Sequence, residues 1–265
     1  MSVPVRPRGI RTTRAPLGAS ARALLQLSWA RTMTPMLVLS MCGLIALPML
    51  FAVEFASRSA ANADAVSFLV LRYDQLIFAF ATPLIALLLG TSAFSAEAED
   101  GTLMYLVTTT TPRWWISAVR VLFAAGLTAV LSALAVLGTG WIATGVDDPM
   151  HVTSAFALAA AFGGATYAAL FTVLSLITRR ALVLGLGYVL FWEGILSATI
   201  PGIRYLSVRE WMLAVAAELT DASNARLSGG PSVTVCLVGA ALVFVLAVLV
   251  GGARLNRPRI SRIGT

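Results

Sequence analysis

Residues 232–253 read SVTVCLVGAALVFVLAVLVGGA, 22 consecutive residues without a charged side chain. A helix rises 1.5 Å per residue, so about 20 apolar residues cross the roughly 30 Å hydrocarbon core of a bilayer. Ser232 to Ala253 therefore has the length and composition of a membrane span. Inside hydrocarbon, backbone N–H and C=O groups find no water and must pair within the segment, which makes the span a helix.

Working outward from it, five more apolar runs emerge: Met36 to Val53, Leu76 to Ser95, Val119 to Thr144, Val152 to Ile177 and Ala181 to Thr199. The composition agrees, because the 265 residues are 58% apolar and 12% charged, whereas soluble domains carry roughly a quarter charged residues. Six spans leave little chain for a separate soluble domain. The expected fold is an all-α polytopic membrane protein. It divides into a cytoplasmic Arg-rich tail with an interfacial helix (1–35), a six-helix transmembrane domain (36–253) and a cytoplasmic C-terminal tail (254–265).

The charge of +7 comes entirely from arginine, since all 19 basic residues are Arg and none is Lys. The arginines sit between apolar runs rather than on a basic soluble face, which points to topology and away from nucleic acid. Six spans place both termini on one side, with 14 arginines there and 5 opposite (Arg58, Arg72, Arg204, Arg209 and Arg226). Positive residues favour the cytoplasm, so the expected topology is N-in and C-in, in the cell (inner or plasma) membrane. Ala61-Asn62-Ala63 imitates a signal-peptide cleavage site, but the segment leading to it is too long and five spans follow, so no cleavage is expected. Cys42 and Cys236 fall inside apolar runs and read as small buried hydrophobes.

Three further segments are distinctive. Leu17 to Arg31 sets Leu24, Leu25, Leu27 and Trp29 beside Arg22, Gln26 and Arg31, an amphipathic helix expected to lie in the cytoplasmic interface. Within the spans, Pro48, Pro83, Gly163 and Gly164 mark kinks or close helix approach. Between spans two and three, Ala96 to Ser117 holds Glu97, Glu99 and Asp100 within four residues. Asp100 can cap a short helix presenting Leu103, Leu106 and Val107, and Thr111-Pro112 reads as N-cap and first turn of span three. As residues alone, this elbow is equally a solvated turn or a docking surface. Between spans five and six, Ser207-Val208-Arg209-Glu210 is a capping box that starts a short external helix. Its stripe of Trp211, Val215 and Leu219 is fit to rest on the outer leaflet or on a partner subunit.

The run from Thr91 through Leu103, TSAFSAEAEDGTL, followed by Pro112-Arg113, resembles the membrane subunits of the ABC-2 exporter family, in which an E-x-E-x-G-T-L run ends the second span. The resemblance extends to the interfacial helix, the six spans and the Pro201-Gly202-Ile203-Arg204-Tyr205 loop before a short external helix. It implies that Glu97, Glu99, Asp100, Gly101, Thr102 and Leu103 belong to a coupling helix that docks a separate ATP-binding subunit. It implies also a second permease subunit, identical or not, and ATP and Mg bound by the partner ATPase. A phosphate-binding loop of the G-x-x-x-x-G-K-[ST] type needs a lysine, and this sequence has none, so the chain is expected to be a transport subunit rather than an enzyme.

Glu193, in Phe191-Trp192-Glu193-Gly194, is the clearest acid within a span and a candidate for the translocation path. The other reading is a carboxyl hydrogen-bonded to a neighbouring helix. His151, the single histidine, follows Asp147 and Asp148 in a short loop and has no partner spacing for zinc. The rival to the ABC reading is a secondary, ion-coupled transporter. An intramembrane enzyme is disfavoured, because neither H-E-x-x-H nor G-x-S-x-G occurs.

Overall fold

The computed structural model describes residues 17–58, 65–99, 112–144, 150–178, 180–220 and 230–256. Every regular element among the described residues is helical. Helix α1 (Leu17–Thr32) precedes α2 (Pro35–Arg58). A continuous helical stretch follows, made of α3 (Ala65–Arg72), a π-helix (Tyr73–Ala81) and α4 (Thr82–Glu99). Then come α5 (Arg113–Thr144) and α6 (Met150–Ile177). A second composite stretch joins α7 (Ala181–Gly187), a π-helix (Tyr188–Leu196) and α8 (Ser197–Thr199). A 3-10 turn (Pro201–Leu206) leads into α9 (Val208–Thr220), and α10 (Val233–Asn256) completes the described elements.

Five helices are long and apolar enough to cross a membrane: Pro35–Ser57, Val66–Ala93, Arg113–Ala143, His151–Ile177 and Val233–Arg254. The chain is a multi-pass helical membrane protein. The segment expected as a further span, Ala181 to Thr199, is helical as the composite stretch, but its apolar portion, Ala181–Leu196, is shorter than these five.

Start signals explain several boundaries. Thr34 precedes Pro35, and its carbonyl accepts the Val38 N–H at 3.0 Å, so a threonine N-cap with proline at the first helical position opens α2. Ser232 does the same for α10, accepting from Cys236 N–H at 3.1 Å. At α5, the Pro112 carbonyl accepts Trp115 N–H at 3.0 Å, which makes Pro112 the capping residue rather than the first-turn residue expected. The expected N-cap Thr111 lies outside the described residues.

The second apolar helix starts about ten residues before the expected Leu76, because its two early charges are accommodated within the protein. Arg72 lies 5.2 Å from the Phe51 ring centroid and 5.3 Å from that of Phe68, covered by aromatic faces. Asp74 is paired with Arg209. Arg72 thus belongs to a helix, not to the loop where the sequence placed it. Pro48 is carried inside an unbroken α2. Pro83, which lacks a donor and crowds the carbonyl four residues back, lies directly after the first π-helix, whose wider turn absorbs the mismatch.

The core is built on α4, α5 and α6, around Tyr73, Phe78, Phe156, Tyr167 and Phe171. The Phe78 and Phe156 rings stack at 5.5 Å, and Tyr73 lies 5.1 Å from Phe156. Helices α2 and α10 are peripheral, each with 17% of its apolar window buried against 61% for Val66–Ala93. Their outward leucines, such as Leu39 and Leu242, are left to lipid. Cys236 is buried as expected, whereas Cys42 is exposed on the outer face of α2, and both are free thiols. In α1 Leu24 is buried against Ile116 and Val119, and Trp29 meets Phe123 edge-on at 6.4 Å. Leu25 and Leu27 stay exposed.

Helix α9 is not a surface element. It packs on α6, α10 and the first π-helix. Met212, wholly buried, occupies the space where Gly163 lacks a Cβ, and Trp211 fills the corresponding space at Gly239. Gly163 is residue 14 of the 28 in α6, so Met212 reaches the midpoint of a membrane-length helix. The stripe expected to face the leaflet or a partner is instead divided. Trp211 turns into the bundle and Leu219 remains 40% exposed.

Gly163→Val should evict Met212 and lower stability by about 1–3 kcal/mol, as overpacking does. Thermal melting of the purified protein in detergent checks this, with Gly126→Val as control because the Cβ position at Gly126 is open. An equal melting temperature for both variants would contradict the packing described.

Candidate functional site

A helix that begins inside a bundle brings N–H groups that water cannot satisfy. Helix α9 begins this way, and the groups that meet its first turn form the principal polar cluster of the described bundle. The chain arrives through the 3-10 turn, in which Ile203 N–H donates to Ile200 C=O at 3.0 Å and Ser207 N–H to Arg204 C=O at 3.2 Å. This turn delivers Ser207 to the N-cap. Its hydroxyl accepts the Glu210 N–H at 3.2 Å and itself donates to Glu193 Oε2.

Glu193 is 2% exposed. Its Oε1 accepts the Val208 N–H at 3.0 Å and the Tyr188 hydroxyl at 3.0 Å. Glu193 therefore caps a helix from another element, with its carboxylate at the positive end of the α9 dipole. The Tyr167 hydroxyl, wholly buried, lies beside the same carboxylate. Tyr188 and Trp192 stack at 6.2 Å and enclose the site on the α7 side, where Phe171 meets Tyr188 edge-on at 6.1 Å.

Two ion pairs flank this joint. Arg209 donates through Nε at 3.0 Å and Nη2 at 2.7 Å to Asp74 Oδ1, tying α9 to the first π-helix. Arg204 donates through Nε at 3.1 Å and Nη2 at 2.9 Å to Glu210 Oε2. The expected capping box is thus half realised. Ser207 caps the Glu210 N–H, but the Glu210 side chain turns to Arg204, because a guanidinium offers a charge-assisted bond where the Ser207 N–H offers a neutral one already used by Arg204 C=O. The Trp211 indole N–H closes the set on Tyr205 C=O at 2.9 Å.

The pairing of Tyr188 with Glu193 follows from the π-helix. Residues five apart in an α-helix do not stack, whereas a backbone that bonds i to i+5 sets them in register. A reading based on a 3.6-residue period cannot pair them. The usable signals in the sequence were the Ser207 cap and the isolated acid Glu193. Tyr188 and Asp74, the partner of Arg209, carried no local signal, and the capping box marked Glu210 without its pairing to Arg204.

The cluster holds a helix by its N-terminus. It contains a carboxylate, hydroxyl donors and a helix N-terminus, and no group of three or more His, Cys, Asp or Glu side chains comes together among the described residues. His151 lies exposed in the first turn of α6. The acidic elbow is only partly described. Glu97 and Glu99 fall in the last turn of α4, and Asp100, Gly101, Thr102 and Leu103, with the short helix expected after them, lie outside the described residues. In comparison with known proteins, no protein-family model and no curated protein matches this chain.

Glu193→Ala strands the Tyr188 and Ser207 hydroxyls and the Val208 N–H, each at about 1–3 kcal/mol, so it should destabilise more than Glu193→Gln, which keeps one acceptor. Hydrogen exchange at the amides of residues 208–211 should accelerate in the Ala variant, and unchanged protection would show that Glu193 does not cap α9. A double-mutant cycle on Asp74 and Arg209 should return a coupling of about 0.5–3 kcal/mol.

Proposed function

We propose that the chain is the transmembrane permease subunit of an ATP-driven exporter of the ABC-2 type. Five long apolar helices and the composite helix 181–199 serve as six spans in this reading, with both termini in the cytoplasm of a cell (inner or plasma) membrane. The observation that carries it is the placement of the acidic run. Glu97 and Glu99 terminate one unbroken helical stretch, 65–99, which carries further back the Asp74 that pairs with Arg209 of α9.

That stretch is a lever. At 1.5 Å per residue its length approaches about 50 Å. A push on the acidic end, delivered by a separate ATP-binding subunit, tilts the stretch and is felt at Asp74. Asp74 draws on Arg209, and α9 is in turn held at its N-terminus by Glu193. Packed interfaces have discrete arrangements, so a small tilt converts into repacking of α9 against α6 and α10. The residues in contact with the ATPase are Glu97, Glu99, Asp100, Gly101, Thr102 and Leu103, the acids as docking charges and Leu103 as the apolar anchor. Hydrolysis, and the ATP and Mg it needs, belong to the partner. A second permease subunit completes the path, and Glu193 acts at its wall.

Co-expression with the ATP-binding subunit encoded nearest to this chain, followed by purification through a tag on one partner, tests the proposal. Wild type should co-purify and stimulate ATP hydrolysis, and Glu97→Arg plus Glu99→Arg should lose both. Absence of association in wild type would favour an ion-coupled secondary transporter instead. Glu193→Gln should lower transport while leaving assembly intact, and unchanged export would remove Glu193 from the path.

A further inference from the structure

Where α5 begins and α10 ends, the two helices enclose an open cleft of about 460 Å³. Its walls are Pro112, Arg113 and Trp114 on one side and Val248, Leu249, Gly252 and Ala253 on the other. The helices meet at Gly252, where an added Cβ would lie 3.4 Å from the Trp114 Cα. The floor is apolar and Leu249 is 61% exposed, although this is where two membrane-length helices end on one side. Trp114, 53% exposed, stands at the rim, as tryptophans do at the level of lipid headgroups.

The charged side chains described at this cleft, Arg113 in its wall and Arg254 beside it, are both basic. Arg254 is exposed in the last turn of α10, directly after the cleft residue Ala253. The sequence continues with Arg257, Arg259 and Arg262 and contains no acid between 254 and 265. A basic segment immediately after a span attracts anionic lipid, and an apolar cleft opening at the same level receives an acyl chain. We propose that this cleft is a binding site for an anionic phospholipid, with one acyl chain along Val248, Leu249 and Ala253 and the phosphate at Arg254. The lipid comes from the leaflet on the arginine-rich side. Neither a second copy of the chain nor an ATP-binding subunit is selected by the two features together. An apolar floor at span depth fits acyl chain, and an acid-free basic run fits phosphate. The site rests on the membrane-spanning fold and not on the proposed ATPase partnership, so the two stand or fall separately.

Native mass spectrometry of the full chain in detergent, titrated with phosphatidylglycerol or phosphatidylcholine of the same acyl length, tests it. Wild type should retain a first phosphatidylglycerol in clear preference to phosphatidylcholine. Arg254→Gln should weaken that event about fivefold, the equivalent of about 1 kcal/mol for one basic residue near the surface. Ala253→Phe fills the cleft and leaves every arginine in place, and should also abolish the preferred event, as should Leu249→Trp. These three positions are exposed, so the variants should keep wild-type helicity and melting temperature. Equal retention of the two lipids would overturn the proposal. So would wild-type binding in both cleft-filling variants, which would place the lipid on the basic tail alone, or wild-type binding in Arg254→Gln.

Discussion

A helix that starts in the interior of an apolar bundle must find acceptors for its first N–H groups there, and much of the polar architecture of this protein follows from that requirement. Helix α9 descends to the midpoint of α6, where Met212 sits on Gly163, too deep for water to serve its first turn. Glu193 and Ser207 supply the acceptors. A buried carboxylate is costly unless fully hydrogen-bonded, and Glu193 is made tolerable by the same N–H and hydroxyls that need it. Each group satisfies the other, so the acid and the inserted helix are one structural fact.

The two π-helices belong to the same arrangement. One carries Asp74, which accepts Arg209 from α9, and the other carries Tyr188 and Glu193. Single extra-wide turns recur at functional positions, because they aim side chains that a regular helix would point elsewhere. Here each of the two brings an acid to the first turn of α9, Asp74 to Arg209 and Glu193 to the Val208 N–H. They pack against each other as well, so a change in either is felt by its neighbour.

Close approach between helices rests on small residues, as lipid supplies no hydrophobic drive to hold apolar surfaces together. Gly90 lets α4 reach the backbone of Ala168, Gly163 admits Met212, and Gly239 admits Trp211. Several core threonines return their hydroxyls to their own helices, as Thr128 does to Ala124 C=O at 2.7 Å and Thr172 to Ala168 C=O at 2.7 Å. They add small polar volume without demanding a partner from another helix.

Helix existence was legible because it depends on local quantities. Apolar length located Met36 to Val53, Val152 to Ile177 and Ser232 to Ala253 to within a few residues at most boundaries. The Ser207 cap announced the start of α9. The early start of the second apolar helix was hidden, since Arg72 and Asp74 look like loop charges until Phe51, Phe68 and Arg209 cover them. The depth of α9, the π-turns and the donors around Glu193 were likewise invisible, because residues from 74 to 210 meet only after the bundle forms. By itself the sequence determined which segments are helices and which solvent they need, through length and apolar content. Only the tertiary structure decided where the buried charges go, because a carboxylate in hydrocarbon accepts whichever donors packing brings within reach, and no one-dimensional pattern encodes that distance.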